Sequence, residues 1–176
     1  MIRAIETRYN GYRFRSRLEA RWAVFFDSLK IPYIYEPEGL NINGEFYLPD
    51  FYLPDCNQFF EVKGVMDEES SQKIHSLAKA GYSVTVGFDN GRFTACDYWQ
   101  ADDFSMFTLT TDDSWLCKCR SCGKYWFVGD LGSWACQCCD YYDGDSGFDV
   151  VMQSSDYYTH LDLWDVAKRA RFEFNH

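Results

Sequence analysis

The chain has 176 residues, of which 47% are hydrophobic and 19% aromatic, and its formal net charge at pH 7 is −10. This apolar content excludes a mainly disordered chain, and no stretch approaches the 18 or so consecutive apolar residues of a membrane-spanning helix. The strong negative charge disfavours indiscriminate binding to nucleic acid or to anionic membrane. Because the first residues lack the apolar run of a secretion signal, we expect a cytoplasmic protein with no membrane partner.

The charge is unevenly distributed along the chain. The first 30 residues carry seven basic and three acidic side chains, so their local charge is positive and the remainder is more acidic. A local basic surface is therefore compatible with an acidic protein, although a solvated helix face would give the same count.

The predicted elements begin with a helix. Ser16 and Glu19 have the spacing of a capping box, apolar residues follow at helical spacing, and Ile31-Pro32 ends the helix. Short runs rich in aromatic and β-branched residues then predict three strands, at residues 33–36, 46–53 and 58–63, with a turn at 54–57.

A second helix is predicted over residues 67–80, with Gly81 as its stop signal, and a strand over residues 82–88. The order is then helix, three strands, helix, strand. Residues 93–107 are aromatic but poorly patterned and carry no prediction. A last helix is predicted from about residue 155 to residue 172, because an apolar stripe there includes Trp164.

The second and third predicted strands carry a set of charged residues. Glu61 and Lys63 lie two positions apart and so face the same way on a strand, and pairing of the two strands would put Asp50 beside Glu61. Two carboxylates and an ammonium group suit a divalent cation and hydrolysis of a phosphodiester. A cross-strand salt bridge on a solvated hairpin would use the same residue types.

Three segments in order resemble the PD-(D/E)XK nuclease superfamily, whose fold is called restriction-endonuclease-like. They are Glu19 on the first helix within RSRLEARWAVFFDSLKIPYIYEPEG, Pro49-Asp50 within YLPDFYLP, and Glu61-Val62-Lys63 within FFEVKG. The sequences of these segments are similar to those of small nuclease-like proteins of phages, prophages and bacterial mobile elements. The resemblance covers about the first 90 residues, including the order of elements derived above.

The resemblance implies an α/β fold with an αβββαβ core and a metal-dependent endonuclease that hydrolyses DNA. It implies that Asp50, Glu61 and the Val62 carbonyl bind Mg²⁺ or Mn²⁺ and that Lys63 positions the attacking water. Glu19 matches an additional catalytic acid near the metal, although the capping box explains a glutamate there equally well.

Four arginines in and before the first helix are candidate phosphate contacts: Arg13, Arg15, Arg17 and Arg21. A second Pro-Asp pair ends at Asp55, but it falls in the predicted turn, so Asp50 is the preferred ligand. The alternative function is a catalytically inactive nuclease-fold module that binds DNA or a host protein, since a charge of −10 is unusual for a protein that holds a polyanion. RNA stays open as a substrate, and cutting of both strands would favour a dimer.

Six of the eight cysteines fall within residues 117–139. Two CxxC pairs separated by 13 residues have the spacing of a tetrahedral zinc site, with the ligands Cys119, Cys122, Cys136 and Cys139. Cys117 or Cys138 could replace one of them, and disulfides are disfavoured in a reducing compartment.

Gly123 suits the sharp turn after the first pair, whereas Asp140 stands in the equivalent place after the second pair and leaves its register open. We expect Trp126 and Trp134 to serve packing. The chain is accordingly divided into a nuclease-like core (1–112), a zinc ribbon (113–145) and a segment (146–176) whose helix packs on the core.

Overall fold

A computed structural model of the chain describes residues 4–42, 44–101, 104–108, 114–130, 132–144 and 147–172. Within these ranges the protein is mixed α/β, with three helices and four β-sheets. None of the helices in the described ranges is long and apolar enough to span a membrane.

The elements are numbered here in chain order. The first half contains β1 (Thr7–Tyr9), β2 (Tyr12–Phe14), α1 (Arg17–Leu29), β3 (Ile34–Tyr35), β4 (Leu40–Ile42), β5 (Glu45–Tyr47), β6 (Phe51–Leu53), β7 (Gln58–Val62), α2 (Glu68–Lys79) and β8 (Ser83–Gly87). The second half contains β9 (Phe93–Ala101), β10 (Phe104–Thr108), β11 (Ser114–Cys119), β12 (Tyr125–Gly129), β13 (Phe148–Gln153) and α3 (Tyr157–Arg169).

The ends of α1 follow from local sequence. The Ser16 hydroxyl accepts a hydrogen bond from the Glu19 N–H at 3.1 Å, as the capping box predicts. At the other end Lys30 takes a left-handed conformation with φ 58°, and the Ile31 N–H donates to the Phe26 carbonyl at 2.9 Å. This closing turn satisfies the last carbonyls of the helix before Pro32.

A six-stranded sheet in the order β10-β9-β8-β7-β6-β3 forms the centre of the molecule. β7 and β8 are parallel and are joined by α2, while every other neighbouring pair in this sheet is antiparallel. On one face Trp22 and Phe26 of α1 pack on Phe60 of β7. On the other face buried residues of α2 pack with Val84 and Val86 of β8.

The single strand predicted over residues 46–53 is wrong. β5 pairs with β4 in a separate hairpin, and β6 pairs with β3 and β7. The chain leaves strand geometry at residues 48–50, where Pro49 cannot donate a backbone hydrogen bond to a neighbouring strand. This interruption directs Asp50 to the start of β6.

A three-stranded sheet in the order β12-β11-β13 carries the first cysteine pair. Phe127 of this sheet contacts the rings of Phe60 and Phe93 at centroid distances of 5.3 and 4.9 Å. Trp164 of α3 lies 4.6 Å from the Trp22 ring of α1. The three-stranded sheet, α1 and α3 therefore share one aromatic core with the six-stranded sheet.

Candidate active site and metal centre

Asp50 and Glu61 lie side by side near the end of β7. The Asp50 N–H donates to Glu61 Oε1 at 3.2 Å, and the Val62 N–H donates to Asp50 Oδ2 at 2.8 Å. The pairing of β6 with β7 produces this arrangement, since Phe51 lies opposite Phe60. The carboxylates of Asp50, just before β6, and of Glu61, on β7, are thus neighbours at the edge of the core.

The two carboxylates are almost inaccessible to water, with Asp50 6% and Glu61 2% exposed. Burial and then repulsion from Glu61 raise the pKa of Asp50 to about 7, although Lys63 and the Val62 N–H favour its ionised form. Buried carboxylates that repel each other need nearby positive charge or a proton. The pair is therefore a candidate site for a cation.

Lys63 supplies one positive charge to this pair. Its Nζ lies 3.1 Å from Glu61 Oε2, and the side chain is 27% exposed. Burial would lower the pKa of Lys63, but the nearby carboxylates of Glu61 and Asp50 outweigh burial and raise it above its ordinary value. The ammonium group therefore stays charged at neutral pH.

Arg15 supplies a second positive charge to this pair, through a contact with Asp50 that the sequence patterns did not indicate. Its Nη2 lies 2.5 Å from Asp50 Oδ1, and its Nε lies 2.8 Å from Glu36 Oε1. The side chain is half exposed and comes from the bend between β2 and α1. Arg15, predicted as a phosphate contact, is thus the ion-pair partner of the candidate metal ligand Asp50.

Glu19 is connected to the site through Arg15. Its carboxylate accepts hydrogen bonds from the Ser16 hydroxyl at 2.7 Å, from the Tyr35 hydroxyl at 2.6 Å and from the Arg15 N–H at 3.1 Å. Within the described ranges Glu19 does not join Asp50 and Glu61 in a group of three carboxylates close enough for one ion. Its position is that of a residue that fixes the start of α1 and the backbone of Arg15.

Tyr47 is a neighbour of the site that sequence reasoning missed. Its hydroxyl oxygen is buried and lies close to the Glu61 carboxylate. Burial and the nearby Glu61 carboxylate raise the pKa of Tyr47 far above its usual range. Tyr47 belongs to the β4–β5 hairpin. Its position near Glu61 could have been predicted only if residues 46–53 had been divided into two strands.

The remaining predicted residues lie outside this pair. Arg13 is exposed and forms an ion pair with Glu6, while Arg17 and Arg21 are partly buried on α1. Asp55 pairs with Lys124 at 2.6 Å. The preference for Asp50 over Asp55 as a metal ligand stays a prediction.

Four cysteines form a second candidate metal site. They are Cys119, Cys122, Cys136 and Cys139, and their Sγ atoms all lie within 4.8 Å of one another. No other group of three or more His, Cys, Asp or Glu side chains in the described ranges is this compact. The Sγ atoms of the pairs 119/139 and 122/136 are 3.8 and 3.6 Å apart. Tetrahedral zinc with bonds of about 2.3 Å separates its sulfurs by about 3.8 Å, so this group could hold a structural metal such as zinc.

The two cysteine turns have the same backbone geometry. The Gly123 N–H donates to the Cys119 carbonyl and the Asp140 N–H donates to the Cys136 carbonyl, both at 2.9 Å. Both donor residues have a left-handed backbone conformation, with φ 72° at Gly123 and φ 54° at Asp140. The register of the second pair, which the sequence left open, is therefore that of the first.

The other two cysteines of this segment do not join the group. Cys117 is buried and Cys138 is exposed, and all eight cysteines are free thiols. Although burial acts in the opposite direction, the N–H groups of Cys122 and Ser121 lower the pKa of Cys119 to about 7. A lowered pKa favours the thiolate form that binds metal, whereas burial raises the pKa of Cys136 to about 12.

The two tryptophans of this segment serve packing, as expected. Trp126 is buried and its ring lies 6.0 Å from that of Phe148. The Trp134 ring lies 5.0 Å from Trp115 and 5.1 Å from Phe148. These contacts form the small apolar layer beside the cysteine group.

No family model matches the chain, and a search of curated proteins finds no match either. Function is therefore inferred from the geometry of the two sites.

Proposed function

We propose that the protein is a metal-dependent endonuclease that hydrolyses phosphodiester bonds in DNA. The observation that carries the proposal is the buried pair Asp50 and Glu61, with the Lys63 ammonium 3.1 Å from Glu61. The order α1, β3, β6, β7, α2, β8 around a mixed sheet is compatible with the αβββαβ core of the PD-(D/E)XK superfamily. The division of the chain at residues 112 and 145 belongs to the same proposal, except that the boundary at residue 145 cuts one sheet, because β13 pairs with β11.

The donor set fits a hard divalent cation, because such ions prefer carboxylate oxygens. Asp50 and Glu61 would hold Mg²⁺ or Mn²⁺, with the Val62 carbonyl as a third ligand, and Arg15 would leave Asp50 to make room. When bound, the cation would polarise the phosphate and lower the pKa of a bound water.

The other roles in the proposed reaction fall to Lys63, Glu19 and the cysteine module. Since Lys63 stays protonated, its role is to orient the water and to offset negative charge on the phosphate, rather than to remove a proton. Glu19 positions Arg15 through the Arg15 N–H. The cysteine module has a structural role, because four thiolates would leave a bound zinc no open position.

A cleavage assay tests the proposal. Duplex DNA is incubated with Mg²⁺ or Mn²⁺ and the parent protein, Asp50→Asn, Glu61→Gln or Lys63→Ala. We expect each variant to lose at least about 100-fold in rate. Glu69 and Lys73 form an exposed ion pair on α2, so Glu69→Gln and Lys73→Ala are matched controls that should cut like the parent. Equal rates in all proteins would remove this site from the mechanism.

One observation favours the second candidate, an inactive nuclease-fold module that binds DNA or a host protein. The Arg15 guanidinium already balances Asp50 at 2.5 Å, so the buried pair has its counter-charges without a metal. Stoichiometric binding of DNA or of a host protein, with no cleavage and no Mn²⁺ binding above background, would establish this alternative.

A further inference from the structure

We propose that the β1–β2 hairpin is the surface that holds the phosphate backbone of duplex DNA, an inference that rests on the proposed nuclease function. Arg8 and Arg13 lie directly opposite each other on the paired strands, and both are exposed. Like charges in directly opposed positions destabilise a strand pair. An anionic partner that lies across both side chains removes this repulsion.

The hairpin presents these arginines rigidly. Asn10 and Gly11 have φ values of 47° and 83°, which are those of a tight two-residue hairpin turn. On the opposite face Phe14 is fully buried, with its ring 4.4 Å from that of Tyr35, and the Tyr12 ring lies 5.8 Å from that of Tyr33. One face of the hairpin is thus anchored in the core while the other carries the cations.

The cations continue towards the active site. Arg15 follows Arg13 by two residues, in the bend after β2, and its guanidinium contacts Asp50. We infer that Arg8, Arg13 and Arg15 form a row of cations from the hairpin to the carboxylate pair. A backbone held along this row would place a phosphate at the residues proposed to cut it.

The arginines of the hairpin are available to a phosphate. Arg8 has no ion-pair partner within the part of the chain that the structure describes. Arg13 pairs with Glu6, but both side chains are more than 60% exposed, and exposed ion pairs contribute little. Because the whole chain carries −10, its overall charge does not attract a polyanion, so a local group of cations must supply the attraction.

Salt-dependent DNA binding tests the proposal. The affinity of a fluorescent duplex of about 20 base pairs is measured by anisotropy in EDTA, over about 50 to 200 mM salt. The variant Arg8→Gln/Arg13→Gln should bind about tenfold more weakly at low salt, and its slope of log affinity against log salt should be smaller by about 2. Arg8→Lys/Arg13→Lys keeps the charges and should retain most of the slope.

Arg169→Gln/Lys73→Gln is the matched control, since it removes two exposed, ion-paired cations from α3 and α2. It should bind like the parent. Equal slopes in the two glutamine variants, or a parent that binds an acidic protein but no duplex, would overturn the proposal. Hairpin-dependent binding without Mn²⁺-dependent cleavage would refute the nuclease alone, and cleavage with binding indifferent to the hairpin would refute only the surface.

Discussion

At the scale of single residues, the ion pair between Arg15 and Asp50 bears most directly on the proposed metal site. The Arg15 guanidinium lies on an oxygen that a divalent cation would need, and it is half exposed, so it can leave. A cation must therefore compete with Arg15 for Asp50. In the proposed site, the arginine that balances Asp50 without metal would also limit the affinity for metal.

The variant Arg15→Gln should bind Mn²⁺ more tightly than the parent, because it removes the competing charge from Asp50. Hydrogen bonds to charged groups contribute about 1.5 to 3 kcal/mol, so we expect the dissociation constant to fall about tenfold or more in a spin-resonance titration. Arg13→Gln, two residues away, should leave it unchanged. Unchanged or weaker Mn²⁺ binding in Arg15→Gln would show that no competition exists.

The pH dependence of stability should report the carboxylate pair. The pKa of Asp50 is raised to about 7 in the folded protein, against about 3.9 in an unfolded chain. Between these values the unfolded state releases the proton and the folded state keeps it. The free energy of unfolding therefore falls as pH rises through this window and levels off above it.

Denaturant unfolding in EDTA from pH 4 to pH 8 measures this effect. Asp50→Asn resembles the protonated side chain and should gain stability relative to the parent across the window, with the two proteins closest at the acidic end. A constant difference between them would mean that Asp50 is ionised throughout.

At the scale of elements, local signals specify ends and turns, while pairing partners depend on distant residues. The caps of α1, the bounds of α2 and the two cysteine pairs follow from residues that are neighbours in sequence. The pairing of β13 with β11 and that of β3 with β6 do not. Arg15 and Asp50 are 35 positions apart, so only the folded chain brings them together.

The two cysteine turns give a sharp prediction about metal content. Cys136 is buried within the cysteine group, while its near neighbour Cys138 is exposed and lies outside it. Cys138→Ser should keep one zinc per chain by elemental analysis, and Cys136→Ser should lose most of it. Equal zinc content in these two variants would exclude the assigned set of ligands.

At the scale of the whole molecule, a buried glutamine joins the two larger sheets. Gln58 of β7 donates to the Phe127 carbonyl at 2.7 Å and accepts from the Phe127 N–H at 2.9 Å. These two hydrogen bonds take the place of those that a neighbouring strand would make to β12. Because Phe127 also packs on Phe60, we expect the cysteine module and the six-stranded sheet to unfold together.

Gln58→Ala should destabilise the protein by about 2 to 4 kcal/mol, because it leaves the buried N–H and carbonyl of Phe127 without partners. Gln72→Ala on α2 is the control, since its amide bonds only an exposed Glu68 and its loss should change stability by less than about 0.5 kcal/mol. Chemical denaturation of the zinc-loaded protein measures both. A small effect at Gln58 would indicate that the two sheets are energetically independent.

The most direct measurement for the whole account is the anomalous diffraction of a crystal soaked with Mn²⁺. We predict one manganese peak in contact with the carboxylates of Asp50 and Glu61, with the Arg15 guanidinium displaced from Asp50. A well-ordered crystal with no manganese at these carboxylates, and with Arg15 still paired to Asp50, would contradict the proposed active site.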